Sequence, residues 1–233
     1  MKARPSNEDG TQDAKTSFAS DWKELLSGAR EWTLKIVKEP YQTWKSRDWH
    51  RLADLYSISS ITDVLEFDSL HEALRSHDCV PDRKTLLRIG DWKTPRAKRW
   101  LGENEDADIA STTKRAFQIV MREKTLEASN HAMELLWDDD EGLYGLGVPM
   151  ASTLLTMFDP VNFGVIDTYA WYCLFDEKDI QTSSVAHWER YLPLIQRIAQ
   201  ERGMRCRDAD ASLWYAGQIR YSLSELSPPR NRA

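Results

Sequence analysis

The sequence predicts an all-α fold, and three observations carry that expectation. Apolar residues recur at helical spacing along much of the chain, as in Ala29, Trp32, Ile36 and Val37. Capping and stop residues stand where such runs begin and end. Strand signals are nearly absent: no Val/Ile/Thr alternation persists between turn dipeptides, and Phe163-Gly-Val-Ile166 is the one apolar piece suited to extended backbone. No repeat of solenoid length is visible.

In chain order, residues 1–17 are polar, hold Pro5 and Gly10, and read as a disordered tail. Ser20 can cap a helix carrying Trp22, Leu25, Leu26, Ala29, Trp32, Ile36 and Val37, stopped before Pro40. Ser69-x-x-Glu72 is a capping box that would open a short helix with Leu70, Ala73 and Leu74. Thr94-Pro95 places a cap and a first-turn proline before Arg96–Leu101, and Gly102 supplies a stop. Helices are expected near 107–123 and 125–137, followed by the acidic run Asp138–Glu141. Pro149 begins an apolar helix with Met150, Ala151, Leu154, Leu155 and Phe158. A long amphipathic stretch runs from Ser184 to Arg202, with Pro193 expected to break or kink it and Gly203 at its end. The last helix should start near Asp208 or Asp210 and carry Leu213, Trp214, Ile219 and Leu223. Residues 18–226 thus read as one all-α domain of helices two to four turns long, and 227–233 as a second flexible tail.

Composition narrows the function. A chain of 233 residues, 41% hydrophobic and 29% charged, can bury a core without staples. Cys79, Cys173 and Cys206 lie far apart with no CxxC, which excludes a disulfide framework and argues against a thiolate metal site. His50, His71, His77, His131 and His187 show no metal-ligand spacing, so neither metal nor cofactor is expected. No run of about 18 apolar residues occurs, and the first residues form no apolar signal core. The expectation is a cytoplasmic monomer without membrane contact. A net charge of −6 argues against indiscriminate polyanion binding, though a local patch can override it.

Leu143-Tyr-Gly-Leu-Gly-Val-Pro-Met-Ala151 carries the chemistry. Gly145-Leu146-Gly147 is a tight turn in which glycine allows positive φ and leaves backbone uncovered. Pro149 starts a helix directly behind it, so amide donors and a helix N-terminus converge as an anion site suited to one phosphate. Taken alone, the two glycines favour an ordinary helix–helix turn, with glycine there for geometry. Asp167 follows a short apolar run and precedes Thr168-Tyr-Ala-Trp171, the position of a helix N-cap, and 20 residues separate it from Gly147.

Together the two segments resemble the helix-hairpin-helix DNA glycosylases, the superfamily of endonuclease III and 8-oxoguanine DNA glycosylase. Leu143 to Ala151 is similar to the family's L-x-G-[VI]-G-x-x-x-A hairpin, and Val165-Ile166-Asp167-Thr168 to its V-D motif. The resemblance implies a fold with helices in two lobes around a cleft. It implies excision of a damaged or modified base from duplex DNA, in repair or in defence against modified foreign DNA. Asp167 would be catalytic, and Gly145, Leu146, Gly147, Val148, Pro149 and Tyr169 would contact DNA. Strand-cutting members carry a lysine two residues after the second glycine. Pro149 stands there, so no Schiff-base chemistry is expected from that position and the enzyme should be monofunctional, leaving an abasic site. Endonuclease III's four-cysteine iron–sulfur cluster is missing, Tyr169 replaces the usual His or Asn, and Tyr172 stands near the place of the family's arginine.

Base excision builds positive charge on the deoxyribose, which a carboxylate near C1′ stabilises while orienting water. The base must also leave the stack for a pocket that reads it. Among the chain's many aromatic residues, Tyr144, Trp171, Trp188 and Trp214 are pocket candidates, although a helical tryptophan is more often core. From Arg83 to Arg99, seven basic residues oppose only Asp91, a local charge of +6 with Trp92 and Trp100 interleaved. Lys93, Arg96 and Lys98 are the DNA-binding candidates there, set against a solvated face balanced by the acidic stretch 103–108. Two alternatives stay open: a non-catalytic helix-hairpin-helix DNA-binding protein, and a structural helical domain with no nucleic-acid partner.

Overall fold

Between Val148 and Phe158 no residue carries a charge, and the helix they form is buried on all sides, with only the Pro149 side chain half-exposed. A helix apolar all round belongs in the middle of a protein, and the others gather around it. The structure, a computed structural model, describes residues 28–137, 142–178 and 185–226. A helix over 28–36 (α1) precedes a 3₁₀ turn at Tyr41–Thr43. Next come α2 (Ser46–Ser59), α3 (Ile61–His77), α4 (Arg83–Lys93), a 3₁₀ turn at Pro95–Ala97, α5 (Lys98–Leu101), α6 (Asp106–Arg122) and α7 (Leu126–Trp137). The central helix is α8 (Val148–Phe158), followed by α9 (Thr168–Phe175), α10 (Ala186–Arg202) and α11 (Cys206–Leu226). No strand occurs among the described residues, so the chain is all-α there. No helix of these residues is long and apolar enough to cross a membrane.

Packing is densest within two groups, which also touch where α2 meets α3 and α7 meets α10. Helices α3, α4 and α7 contact α8, with α6 against α7, while α11 packs on α2, α9 and α10. The tightest approach is α9 against α11. A Cβ at Gly217 would stand 2.0 Å from the carbonyl oxygen of Tyr169, a distance no side chain tolerates. Glycine at 217 is therefore what lets α11 lie directly on the first turn of α9.

Several boundaries depart from the local signals. The Ser69-x-x-Glu72 box lies inside α3 and caps nothing. Phe67, Leu70 and Leu74 form one buried stripe through it, with neither Gly nor Pro to interrupt the helix. Ser69 instead accepts a hydrogen bond from Arg88 Nη2 at 3.2 Å. Pro193 neither breaks nor ends α10, which runs through it to Gly203, a left-handed residue at φ +66°. The last helix starts at Cys206 and runs 21 residues, longer than the expected two to four turns. Phe163–Ile166 forms no strand; Ile166 N donates to Ser152 Oγ of α8 at 3.2 Å. Ser20, Trp22, Leu25, Leu26, both expected tails, Asp138–Glu141 and Ser184 lie outside the described residues.

Replacing Gly217 by alanine should force α9 and α11 apart. Overpacking of this kind costs about 1–3 kcal/mol. The urea midpoint should fall accordingly, whereas Gly203→Ala, with open space around its Cβ, carries only the cost of a positive φ. An unchanged midpoint for Gly217→Ala would contradict the close approach.

Candidate functional site

The hairpin before α8 is held by one buried side chain. Asn104 Oδ1 accepts from Tyr144 N at 2.7 Å, while its amide donates to Tyr144 O at 2.9 Å and to Leu101 O at 3.0 Å. Gly145 adopts φ +81°, and a Cβ there would fall 2.3 Å from Trp100 Cβ. It is glycine for both reasons. Gly147 differs from the expectation: its φ is −117°, extended backbone that caps α8, so the left-handed turn residue is Gly145 alone. Leu146 and Val148 are buried, which leaves only backbone for any ligand to meet at those positions. The Val148 amide lies in the first turn of α8, where no intrahelical carbonyl serves it.

Asp167 caps α9. Its Oδ1 accepts from Tyr169 N at 2.8 Å and from Ala170 N at 2.9 Å. That is the N-cap placement its sequence position implies. The second oxygen, Oδ2, faces Lys93 Nζ at 3.4 Å, and the two side chains are 15% and 13% exposed, respectively. Lys93 is the last residue of α4, so this contact joins the two packing groups.

Both residues line a cavity of about 610 Å³. Pro149 reaches its edge from the hairpin, and Arg96 from the turn after α4. Its walls are aromatic: Tyr56 of α2, Trp92 of α4, Tyr169 of α9, and Trp214 and Tyr221 of α11. Trp214 meets Tyr56 and Tyr169 edge-on at 5.6 and 5.9 Å between ring centroids. Asp63, Arg207 and Asp210 add polar groups.

Behind the cavity, Arg207 Nη1 donates to Asp210 Oδ2 and Nη2 to Tyr56 Oη, each at 2.8 Å. Tyr191 Oη donates to Asp210 Oδ1 at 2.7 Å. The guanidinium carbon also lies over the rings of Tyr56, Phe67 and Trp92, at 5.1 to 5.3 Å from their centroids. Burial pushes the Asp210 carboxyl up to about 6, against the pull of Arg207 and with repulsion from Asp167. Burial, followed by the adjacent Asp210, raises the Tyr191 phenol well above its ordinary range. The three cysteines are buried, and desolvation lifts the Cys173 and Cys206 thiols to about 12, which suits neither for thiolate chemistry. No group of three or more His, Cys, Asp or Glu among the described residues is placed to hold a metal ion.

The candidates drawn from sequence separate on this frame. Asp167, Pro149, Tyr169, Lys93, Arg96 and Trp214 come together around the cavity. Trp171 does not: it is fully buried, with its indole N–H on Glu177 and its ring against Phe175 and His187. Trp188 is also core. Tyr144 sits outside on the hairpin, 56% exposed and edge-on to Trp100. Lys98 pairs with Asp91 in a separate depression. The basic stretch is largely neutralised, with Arg83 paired to Glu105, Arg88 to Glu66 and Lys93 to Asp167, so +6 overstates the field it projects. Tyr56, Asp63, Trp92, Arg207, Asp210 and Tyr221 join the cavity without having been site candidates on sequence grounds. Arg207 and Asp210 at i, i+3 offer a local signal; Tyr56, 151 residues from Arg207, offers none.

No protein-family model, curated protein or solved structure matches this chain.

Asp210 ties stability to pH. Its folded value of about 6 lies above the ordinary 3.8 of an unfolded aspartate. Between these values the folded state binds more protons, so this group's contribution to stability falls as pH rises through the window. Wild type should gain about 1 kcal/mol from Asp210 on going from pH 7 to pH 5. In Asp210→Asn that increment should vanish, on top of a destabilisation at both pH values from the stranded Arg207. Urea titrations of both proteins at the two pH values check this; an equal pH response would contradict it.

Proposed function

We propose that the protein is a DNA N-glycosylase of helix-hairpin-helix type, which draws a damaged or modified nucleotide out of duplex DNA and hydrolyses its N-glycosidic bond. The observation that carries the reading is the Asp167 carboxylate, fixed at the start of α9 and opening into an aromatic-walled cavity beside the hairpin. Its volume lies within the ~300–1,000 Å³ typical of small-molecule sites, room for a flipped nucleoside.

The chemistry follows from the groups present. As the bond to the base lengthens, positive charge spreads over C1′ and the ring oxygen, and a carboxylate at short range stabilises it. Asp167 is rigid because two backbone amides hold Oδ1, so Oδ2, which faces Lys93 Nζ at 3.4 Å, is the oxygen turned toward the sugar and the attacking water. Water oxygen bonds to C1′ and gives up a proton to Asp167. The C1′–N bond breaks with its electron pair on the base, which leaves and takes up a proton, and a hydroxyl remains on the abasic sugar. Trp92, Trp214 and the tyrosines supply faces on which a base can stack. The hairpin and Arg96 supply backbone and guanidinium donors for phosphate. Against this stands the non-catalytic hairpin, favoured by the capping bonds that already give Asp167 a structural task.

Duplexes each carrying one altered base, incubated with the protein and then treated with hot alkali, decide between the two. Release from at least one duplex is expected, and binding without release from any would leave the non-catalytic reading. Asp167→Asn keeps a side chain that caps equally well and should lower release by about 10²–10⁴-fold, with DNA affinity within a few-fold of wild type. Full activity in this variant would sink the assignment. Arg96→Ala removes one guanidinium from the phosphate path and should lower the salt slope of binding by about one unit. Lys98→Ala, already paired with Asp91, should leave the slope unaltered.

A further inference from the structure

We propose that Lys93 makes the same cavity an abasic-site lyase, its ε-amine attacking C1′ of the sugar that base release leaves behind. This rests on the glycosylase reading, and it replaces the monofunctional expectation, which followed from Pro149 alone. The hairpin position indeed holds no amine, but α4 delivers one from the other side of the cavity. Lys93 is the one lysine among the described residues lining it. The other cations there, Arg96 and Arg207, keep their protons and are not nucleophiles.

The amine is placed rather than trailing. Trp92, immediately before it, donates its indole N–H to Asp63 O at 2.8 Å, and Thr94 N after it donates to Gly90 O at 2.7 Å. Those bonds fix the end of α4. The side chain then runs into the cavity until only 13% of it is exposed, and stops 3.4 Å from Asp167 Oδ2. A nucleophile beside a carboxylate that can take its proton is the arrangement covalent catalysis needs. An ion pair serving stability alone gains little from such placement, since withdrawing two charges from water offsets most of their attraction.

The step balances with the groups on hand. Neutral Nζ, its proton passed to Asp167, adds to the C1′ aldehyde of the open-chain abasic sugar. Asp167 then returns that proton to the carbinolamine hydroxyl, which leaves as water to give the iminium and a free carboxylate. A proton then passes from C2′ to the carboxylate, the electron pair forms C2′=C3′, and the C3′–O bond breaks with departure of the 3′ phosphate. Hydrolysis of the imine returns the amine and leaves an unsaturated aldehyde on the cut strand. Neither oxidant nor metal enters.

The test uses the full chain and a duplex with one preformed abasic site, with and without borohydride. A covalent protein–DNA adduct with borohydride, mapping to Lys93, and a strand break without alkali are expected. Lys93→Gln and Lys93→Arg should abolish both while still binding the abasic duplex; arginine keeps the charge facing Asp167 and controls for folding. No adduct with wild type, an adduct surviving in Lys93→Arg, or mapping to another amine would overturn the proposal. Because this probe already lacks a base, failure here leaves the base-excision reading standing. Failure of every altered base with a positive result here would point the other way.

Discussion

The buried pair of Arg207 and Asp210 is the interaction on which the site depends. Arg207 ties α11 to Tyr56 of α2, and Asp210 ties it to Tyr191 of α10. The Tyr191 hydroxyl also lies 3.3 Å from the carbonyl oxygen of Val165, two residues before Asp167. Arg207 N and Cys206 N donate to the carbonyls of Pro160 and Val161, closing the far end of the same loop. One charge pair thus connects three helices to the strand-free segment that delivers the carboxylate. As a source of stability such a pair roughly breaks even, since desolvation offsets attraction; removing one partner costs about 3–5 kcal/mol because the other is left charged and buried. Its effect is positional: it leaves α11 one seating against α2 and α10.

The second constraint is steric. Gly217 lets α11 rest on the first turn of α9, so the N-cap that Asp167 provides lies on a surface that cannot slide. Ser152 of α8 accepts the Ile166 amide and connects the hairpin helix to the same loop. The hairpin, the carboxylate and the aromatic walls are therefore three readouts of one packed unit. Lys93 is different. It comes from α4, in the other packing group, and meets Asp167 only across the cavity. A ligand entering there must come between them or work with both.

Local reading of the chain goes far where the deciding physics is local. Asp167 as a cap, Gly145 as a turn residue, Pro95 in a first turn, and the edges of α6 and α7 depend on neighbours within a helical turn or two, although Thr94 makes no side-chain cap and the expected Arg96–Leu101 helix begins as a 3₁₀ turn. The Ser69 box fails for the opposite reason. Its capping chemistry is intact, but a continuous apolar face on α3 outweighs it. Trp171 and Trp214 sit on adjacent helices with similar local surroundings, yet one is core and the other lines the cavity. The facing of an aromatic ring is decided by partners distant in sequence.

By itself, then, the sequence determined an all-α chain, a glycine hairpin feeding an apolar helix, and an aspartate placed to cap the next one. Periodicity, capping and backbone freedom are properties of short windows, and a single chain displays them directly. Only the tertiary structure decided what surrounds that aspartate. Tyr56, Trp92, Lys93 and Asp210 converge on Asp167 from across more than a hundred residues of chain, as the sum of helix packings that no window contains. The same packings sent Lys98 to Asp91 and Lys93 to Asp167, although both lie in one basic run and differ by five positions. The C-terminal end of α4 intervenes between them, and the turn that follows it points the two amines at different carboxylates.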